Sequence, residues 1–326
     1  MKRFLFTILS PFKSPVLLLL LAWLFYSLIS DDITGDLGRI NQIVFSKEYR
    51  LQDKFLEVPI PKVEWCDTSC FGEADIIFFG DSYTRLIYPN ILTEITKKKS
   101  AKFIAENIQS PEETFVALCN MGVKMPQVVV LECGERGVVF NLCELDFSST
   151  KTPIPSFETD EVEKQTDFST FYKNKLINNH AVLHVSLRDS LFTCPRKEKD
   201  LYFYYRDLRF PDENQIQTAL SKLDSLFMFA RERNICLFYV VAADKYDVYQ
   251  EFAIDNESPK KDILDRFVEF EADSYYVNTK HVLLESARQG TKDLYYADDT
   301  HWSPIGAKIV AEEIAKRMDS LGVFQK

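Results

Sequence analysis

The sequence predicts an α/β protein: a three-layer fold around a central parallel sheet of about five strands, preceded by one N-terminal transmembrane helix. Short, nearly continuous apolar runs suit strands covered on both faces. Between them lie segments with apolar residues at steps of three and four, and this alternation implies a parallel sheet flanked by helices. The third observation is the charge-free stretch Pro15 to Ser30 near the start.

That stretch, PVLLLLLAWLFYSLIS, follows Lys2, Arg3 and Lys13 and precedes Asp31, Asp32 and Asp36. The asymmetry orients the N-terminus inside and the rest outside, in the cell envelope and extracytoplasmic (periplasmic). As a helix it covers roughly 24 Å, short for a span unless Phe4 to Pro11 and a snorkelling Lys13 contribute. A cleaved signal peptide is the competing reading. Leu28 and Ser30 would then hold the -3 and -1 positions, where leucine is bulky. Residues 1–30 are therefore read as an anchor or signal segment, 31–72 as a polar stalk with Pro59 and Pro61, and 73–326 as one folded domain with an insertion at about 137–213.

Within that domain the expected strands are Ala74 to Phe79, Ala101 to Glu106, Gln127 to Glu132, Ile235 to Ala242 and Ser274 to Val277. The clearest helix runs from Asn214 to Arg233, with Ile216, Ala219, Leu220, Leu223, Leu226, Phe227 and Ala230 on one face. Another starts at Ser303-Pro304 and runs to about Met318. Residues 137–213 interrupt the alternation; they are expected to be partly helical near 165–192 and to form a lid or substrate-contact region. The chain has 326 residues and 46% hydrophobic content, enough for one large core. A net charge of -10 with no basic block outside the N-terminus excludes nucleic acid as a partner class. Seven cysteines cannot all pair; Cys66 and Cys70 are either a small disulfide or two thiols.

In parallel sheets ligands sit beyond the carboxyl ends of the strands. Gly80-Asp81-Ser82 follows the first strong strand there, and a glycine permits the tight turn that exposes a serine hydroxyl. Ser82 is thus a candidate nucleophile, its alternative being a helix cap. Near the other end, Asp298-Asp299-Thr300-His301-Trp302 sets carboxylates two and three residues before a histidine. Such a carboxylate can hold the imidazole in the tautomer that accepts a serine proton. Trp302 either takes part or only packs beneath the turn. His180 and His184 stand four apart, but no third ligand accompanies them, and neither metal nor cofactor is called for.

These residues resemble the SGNH/GDSL hydrolase superfamily, whose three-layer, flavodoxin-like fold the resemblance implies. The Asp-Thr-His-Trp form is similar to alginate-acetylation proteins of the AlgJ/AlgX type. Ala243 to Tyr249 resembles their Pro-x-Lys-x-x-x-Tyr loop, and Val128 to Arg136 their strand ending in Glu-Arg. In the alginate-type proteins the Asp-x-His motif precedes the serine motif, whereas here it follows, as in ordinary SGNH hydrolases. The likeness implies Ser82 and His301 as the catalytic pair, with Asp299 by the Asp-Thr-His-Trp match or Asp298 by the Asp-x-x-His pattern. Where the superfamily carries Gly-x-Asn-Asp, this chain has Gly134-Glu135-Arg136-Gly137. Arg136 then replaces the asparagine oxyanion donor, or pairs locally with Glu135. Gly134, Asn107, Lys245 and Tyr249 complete the implied substrate side.

Transfer or hydrolysis of an acyl group, acetyl above all, on an extracytoplasmic glycan is the function this predicts. The membrane, through the N-terminal helix, and a membrane acyl-donor protein would be its partners. Lipid or small-ester hydrolysis is the second enzyme reading, and a degenerate SGNH domain that binds glycan or scaffolds an assembly is the third.

Overall fold

The computed structural model describes residues 19, 21, 36–37, 62–85, 87–103, 110–153, 182–254, 259–270 and 275–324. Most of the 15–30 stretch and Asn107 lie outside these, although Leu19 and Leu21 are helical and exposed. Among the described residues, no helix is long and apolar enough to cross a membrane.

Six parallel strands make the main sheet: β1 (Glu64–Trp65), β2 (Ile76–Phe79), β3 (Ser100–Phe103), β4 (Val128–Gly134), β7 (Cys236–Ala242) and β8 (Tyr276–Asn278). Their order is β1-β3-β2-β4-β7-β8. The five expected strands are all present with shifted ends, and β1 is the addition. Two residues in a polar stretch carry no run that would mark them as a strand; Glu64 and Trp65 pair with Ala101 and Lys102. The stretch read as stalk is therefore partly built into the domain. Every residue of β2 and β4 is buried, as continuous apolar runs in a covered parallel sheet should be.

The helices are α1 (Ser82–Arg85), α2 (Tyr88–Thr96), α3 (Pro111–Asn120), α4 (Glu135–Glu144), α5 (Glu213–Arg231), α6 (Lys245–Tyr249), α7 (Thr279–Arg288) and α8 (Pro304–Ser320). α2 and α7 pack on α8, while α3 and α5 pack on α4, giving the two groups that flank the sheet. Asp212 and Gln215 start α5 with a reciprocal capping box. Ser303 caps α8 through Ile305 N–H, with Pro304 in the first turn. Gly306 lets α8 press against the segment before it: a Cβ there would lie 2.1 Å from the Leu294 carbonyl oxygen.

Of the stretch expected to be helical near 165–192, residues 165–181 lie outside the described residues; the described part holds β5 (Val182–Ser186), which pairs antiparallel with β6 (Asp200–Tyr204). His184 sits in β5, paired with Asp200 at 3.0 Å, so the helical spacing from His180, which lies outside the described residues, does not apply. Valine and aromatics alternating with polar residues give those segments strand character that a helix template overlooks. Cys66 and Cys70 are disulfide-bonded, with Cα atoms 6.0 Å apart.

The sheet order puts β2 between β3 and β4, so the crossovers on its two sides leave in opposite directions. A crevice opens at such a switch point, beyond the strand ends. Ser82 follows β2 there, and Arg136 follows β4.

Candidate active site

The serine is set by what surrounds its turn. Gly80 is required because a Cβ would fall 1.9 Å from Thr84 Oγ1 and 2.6 Å from Glu132 Oε2. Glu132, the fifth residue of β4, reaches beneath the turn, and its Oε2 accepts from Asp81 N–H (3.1 Å), Thr84 N–H (3.2 Å) and Thr84 Oγ1 (2.9 Å). Asp81 in turn accepts from Tyr83 N–H (3.0 Å) and Gly134 N–H (3.1 Å). Burial, with the Asp81 charge beside it, pushes the Glu132 carboxyl well above its usual range. Ser82 sits on top of this frame, exposed to solvent.

The histidine arrives from the loop before α8. Its Nε2 lies 2.7 Å from Ser82 Oγ, and its Nδ1 lies 2.6 Å from Asp299 Oδ1. Asp299 Oδ1 also accepts His301 N–H at 3.0 Å, which locks carboxylate and ring in one arrangement. The bond at Nδ1 comes from Asp299; Asp298 is buried beside it, its backbone carbonyl accepting Leu37 N–H at 3.1 Å. Burial opposes charging of the imidazole, but the Asp299 carboxylate, and Asp36 after it, outweigh burial and raise the His301 pKa above its ordinary value.

Lys245 does not face substrate. It is fully buried, and its Nζ donates to the carbonyls of Tyr296 (2.7 Å), Ala297 (2.9 Å) and Asp299 (3.3 Å), so it ties down the histidine turn. Burial pulls its pKa down to about 8. Tyr83 donates to Thr300 O at 2.9 Å and its ring lies 4.8 Å from the imidazole. Trp302 packs 4.6 Å from the Tyr83 ring and is buried beneath the turn, with no face to the solvent above Ser82. Tyr249 is a core residue between Phe192 and Tyr295.

Arg136 stands at the start of α4 with its side chain 25% exposed. Its partners are Asp244, 3.2 Å from Nε, and Asp207, 3.5 Å from Nη1. The local pair with Glu135 does not form: Glu135 meets Lys261 at 3.0 Å and accepts Asp244 N–H at 2.8 Å. Gly134 spends its N–H on Asp81, which leaves that amide unavailable to substrate.

Asp36, Asp299 and His301 present three donor atoms within 4.8 Å of one another, a spacing that could hold a cation. Both ring nitrogens of His301 are already engaged, by Ser82 and Asp299, so a cation at this cluster would have to displace one of those bonds. A cavity of about 650 Å³ lies elsewhere, lined by Asp247, Gln250, Lys261, Lys280 and Arg288 among others, and touches neither Ser82 nor His301.

Glu132, Asp81 and Asp36 were not singled out from the sequence. A glutamate closing the otherwise apolar Val128 to Leu131 was the available signal for the first. Asp36 had none, being 263 residues from its partner Asp299.

The fold is a parallel α/β sandwich with a serine after an inner strand, and an aspartate two residues before a histidine near the C-terminal helix, an arrangement suited to acyl transfer or hydrolysis. Residues 198–325 match the family model of the SGNH hydrolase-like domain of acetyltransferase AlgX. That span holds Lys245, Asp299 and His301, while Ser82 lies outside it. No curated protein and no solved structure matches the chain.

Proposed function

We propose that the chain is a serine-dependent acyl, chiefly acetyl, transferase or esterase acting on an extracytoplasmic glycan. The observation that carries this is the continuous relay from Ser82 through His301 to Asp299, with bonds of 2.7 and 2.6 Å. Asp299 holds the proton on Nδ1, which leaves Nε2 free to take the Ser82 proton. Ser82 Oγ then attacks the ester carbonyl carbon, forming a tetrahedral oxyanion. His301 returns the proton to the leaving alcohol oxygen, and an acyl-serine remains. Water or a sugar hydroxyl, deprotonated by the same Nε2, resolves it. Arg136, which follows β4 and whose charge acts on His301, is the cation assigned to the oxyanion.

Ser82 is exposed on a surface and not sunk in the described cavity, which suits a long polymer better than a small buried ester. The Cys66–Cys70 disulfide supports an oxidising, extracytoplasmic compartment. The charge asymmetry around Pro15 to Ser30 supports an anchor, with a membrane acyl donor as partner.

Ser82→Ala should abolish acetate release from acetylated sugars and from a chromogenic acetyl ester while leaving the thermal transition in place. Persisting activity would remove Ser82 from the mechanism. The engagement of Arg136 by two carboxylates favours, as a second reading, a binding module without turnover. A serine-reactive fluorophosphonate separates the two, since failure to label Ser82 points to the binding module.

A further inference from the structure

The segment at Asp36 and Leu37 was expected to be part of a stalk, yet it is stitched to the histidine turn by four hydrogen bonds. Leu37, fully buried, donates to Asp298 O at 3.1 Å. Asp36 N–H donates to Asp299 Oδ2 at 3.3 Å. In return, the Asp36 carboxylate accepts Thr300 N–H at 2.8 Å and Thr300 Oγ1–H at 2.5 Å. Its Oδ2 ends 3.9 Å from His301 Nδ1.

Each bond acts on a different degree of freedom of the relay. Asp299 Oδ1 is committed to His301; without a donor on Oδ2 the carboxylate could rotate about its own bond and trade oxygens. The Asp36 amide supplies that donor. Thr300 separates Asp299 from His301, and fixing its amide and hydroxyl fixes the angle between them. Lys245 and Tyr83 hold the same turn from the other side, through carbonyls. The turn is thus clamped on its amides by Asp36 and on its carbonyls by Lys245 and Tyr83.

We propose that Asp36 is a positioning residue of the catalytic turn, which orients Asp299 through its amide, orients Thr300 through its carboxylate, and supplies a second anion behind His301. This rests on the acyl-transfer reading of the same site. The charges that act on the imidazole are Asp299 and Asp36 as anions and Arg136 as a cation, which also acts on Asp36, with the Tyr83 ring packed against it; the Lys245 charge acts on Asp298, Asp36 and Asp299. Burial and Asp299 hold the Asp36 carboxyl above its usual range, while His301 and the two Thr300 donors hold it back.

The sign follows from the charge. Removing an anion near the imidazole makes the imidazolium easier to deprotonate, so the His301 pKa falls and the base weakens. In the full chain, Asp36→Asn should lower kcat roughly tenfold with KM unchanged. The His301 titration midpoint, read by NMR on histidine-labelled protein and assigned with a His301→Asn variant, should fall by about one unit. Asp36→Ala should lower kcat further. A role confined to stability would lower the melting temperature and the active fraction and leave the midpoint unmoved. An unchanged midpoint, or an unchanged kcat in both variants, overturns the proposal. If the wild-type chain shows no esterase or transferase activity, the functional reading fails, and the titration, which needs no substrate, still decides the role of Asp36.

Discussion

Glu132 offers a perturbation whose size can be worked from contacts. Its Oε2 alone receives Asp81 N–H, Thr84 N–H and the Thr84 hydroxyl. In Glu132→Ala the hydroxyl can turn to Tyr88 Oη, 3.1 Å away, but the two amides have no such recourse. At about 1–3 kcal/mol for each orphaned buried group, the loss is roughly 2–6 kcal/mol. For a domain of this size each kcal/mol shifts Tm by about 2–4 °C, so a fall on the order of 10 °C is expected by circular dichroism. Because the two amides bracket Ser82, kcat should fall as well. Glu132→Gln discriminates the cause. Burial raises the Glu132 pKa, and the neutral amide, which retains an acceptor oxygen, should cost less than about 1 kcal/mol. An acid whose folded pKa is raised contributes stability that is complete below its unfolded pKa and is lost as pH rises through the folded value. Wild type should therefore weaken relative to Glu132→Gln as pH increases. If Gln is as damaging as Ala, the site needs an ionised carboxylate and the reasoning is refuted; an Ala variant with wild-type Tm and kcat refutes it equally.

Asp299→Asn should lower kcat by roughly three to four orders of magnitude, because an amide at Nδ1 favours the wrong tautomer. Asp298→Asn should cost far less, and a comparable loss in steady-state kinetics would reassign the relay. A base must be unprotonated to accept the serine proton. Since the neighbouring anions raise the His301 pKa, kcat/KM should climb with pH through a midpoint above about 6.5, the ordinary histidine value. A pH profile with its acid limb below that point would argue that the anions do not act on the ring.

Much of the sheet was legible because its strands are continuous apolar runs that only a covered parallel sheet accommodates. Ile76 to Phe79 and Val128 to Leu131 needed no partner to be recognised. β1 and the β5–β6 pair were not, since two residues in a polar stretch and an alternating hairpin are defined by what they pair with. Ser82, His301 and Asp299 come together in the structure because local motifs place each at a strand or helix end. The choice between Asp298 and Asp299 needed side-chain direction, which spacing does not give. Lys245 was noticed, but its part is on backbone carbonyls; a buried lysine and an exposed one read alike in sequence. The partners of Arg136, Asp207 in a short 3-10 helix and Asp244 at the start of α6, are distant in sequence and were invisible for that reason.

The bonding of Asp36 to the turn also limits distance. Six residue steps lead to it from Ser30, and a fully extended chain spans at most about 3.6 Å per residue, hence roughly 20 Å. On the proposed anchoring, with the apolar stretch ending at Ser30, the histidine turn is on a short leash and cannot rise further than that above the lipid. Such an enzyme would work on polymer as it emerges at the membrane and would be unable to patrol the space beyond. The reach of the active site would then be set by chain length upstream, and inserting residues between 30 and 36 would lengthen it without touching a catalytic group.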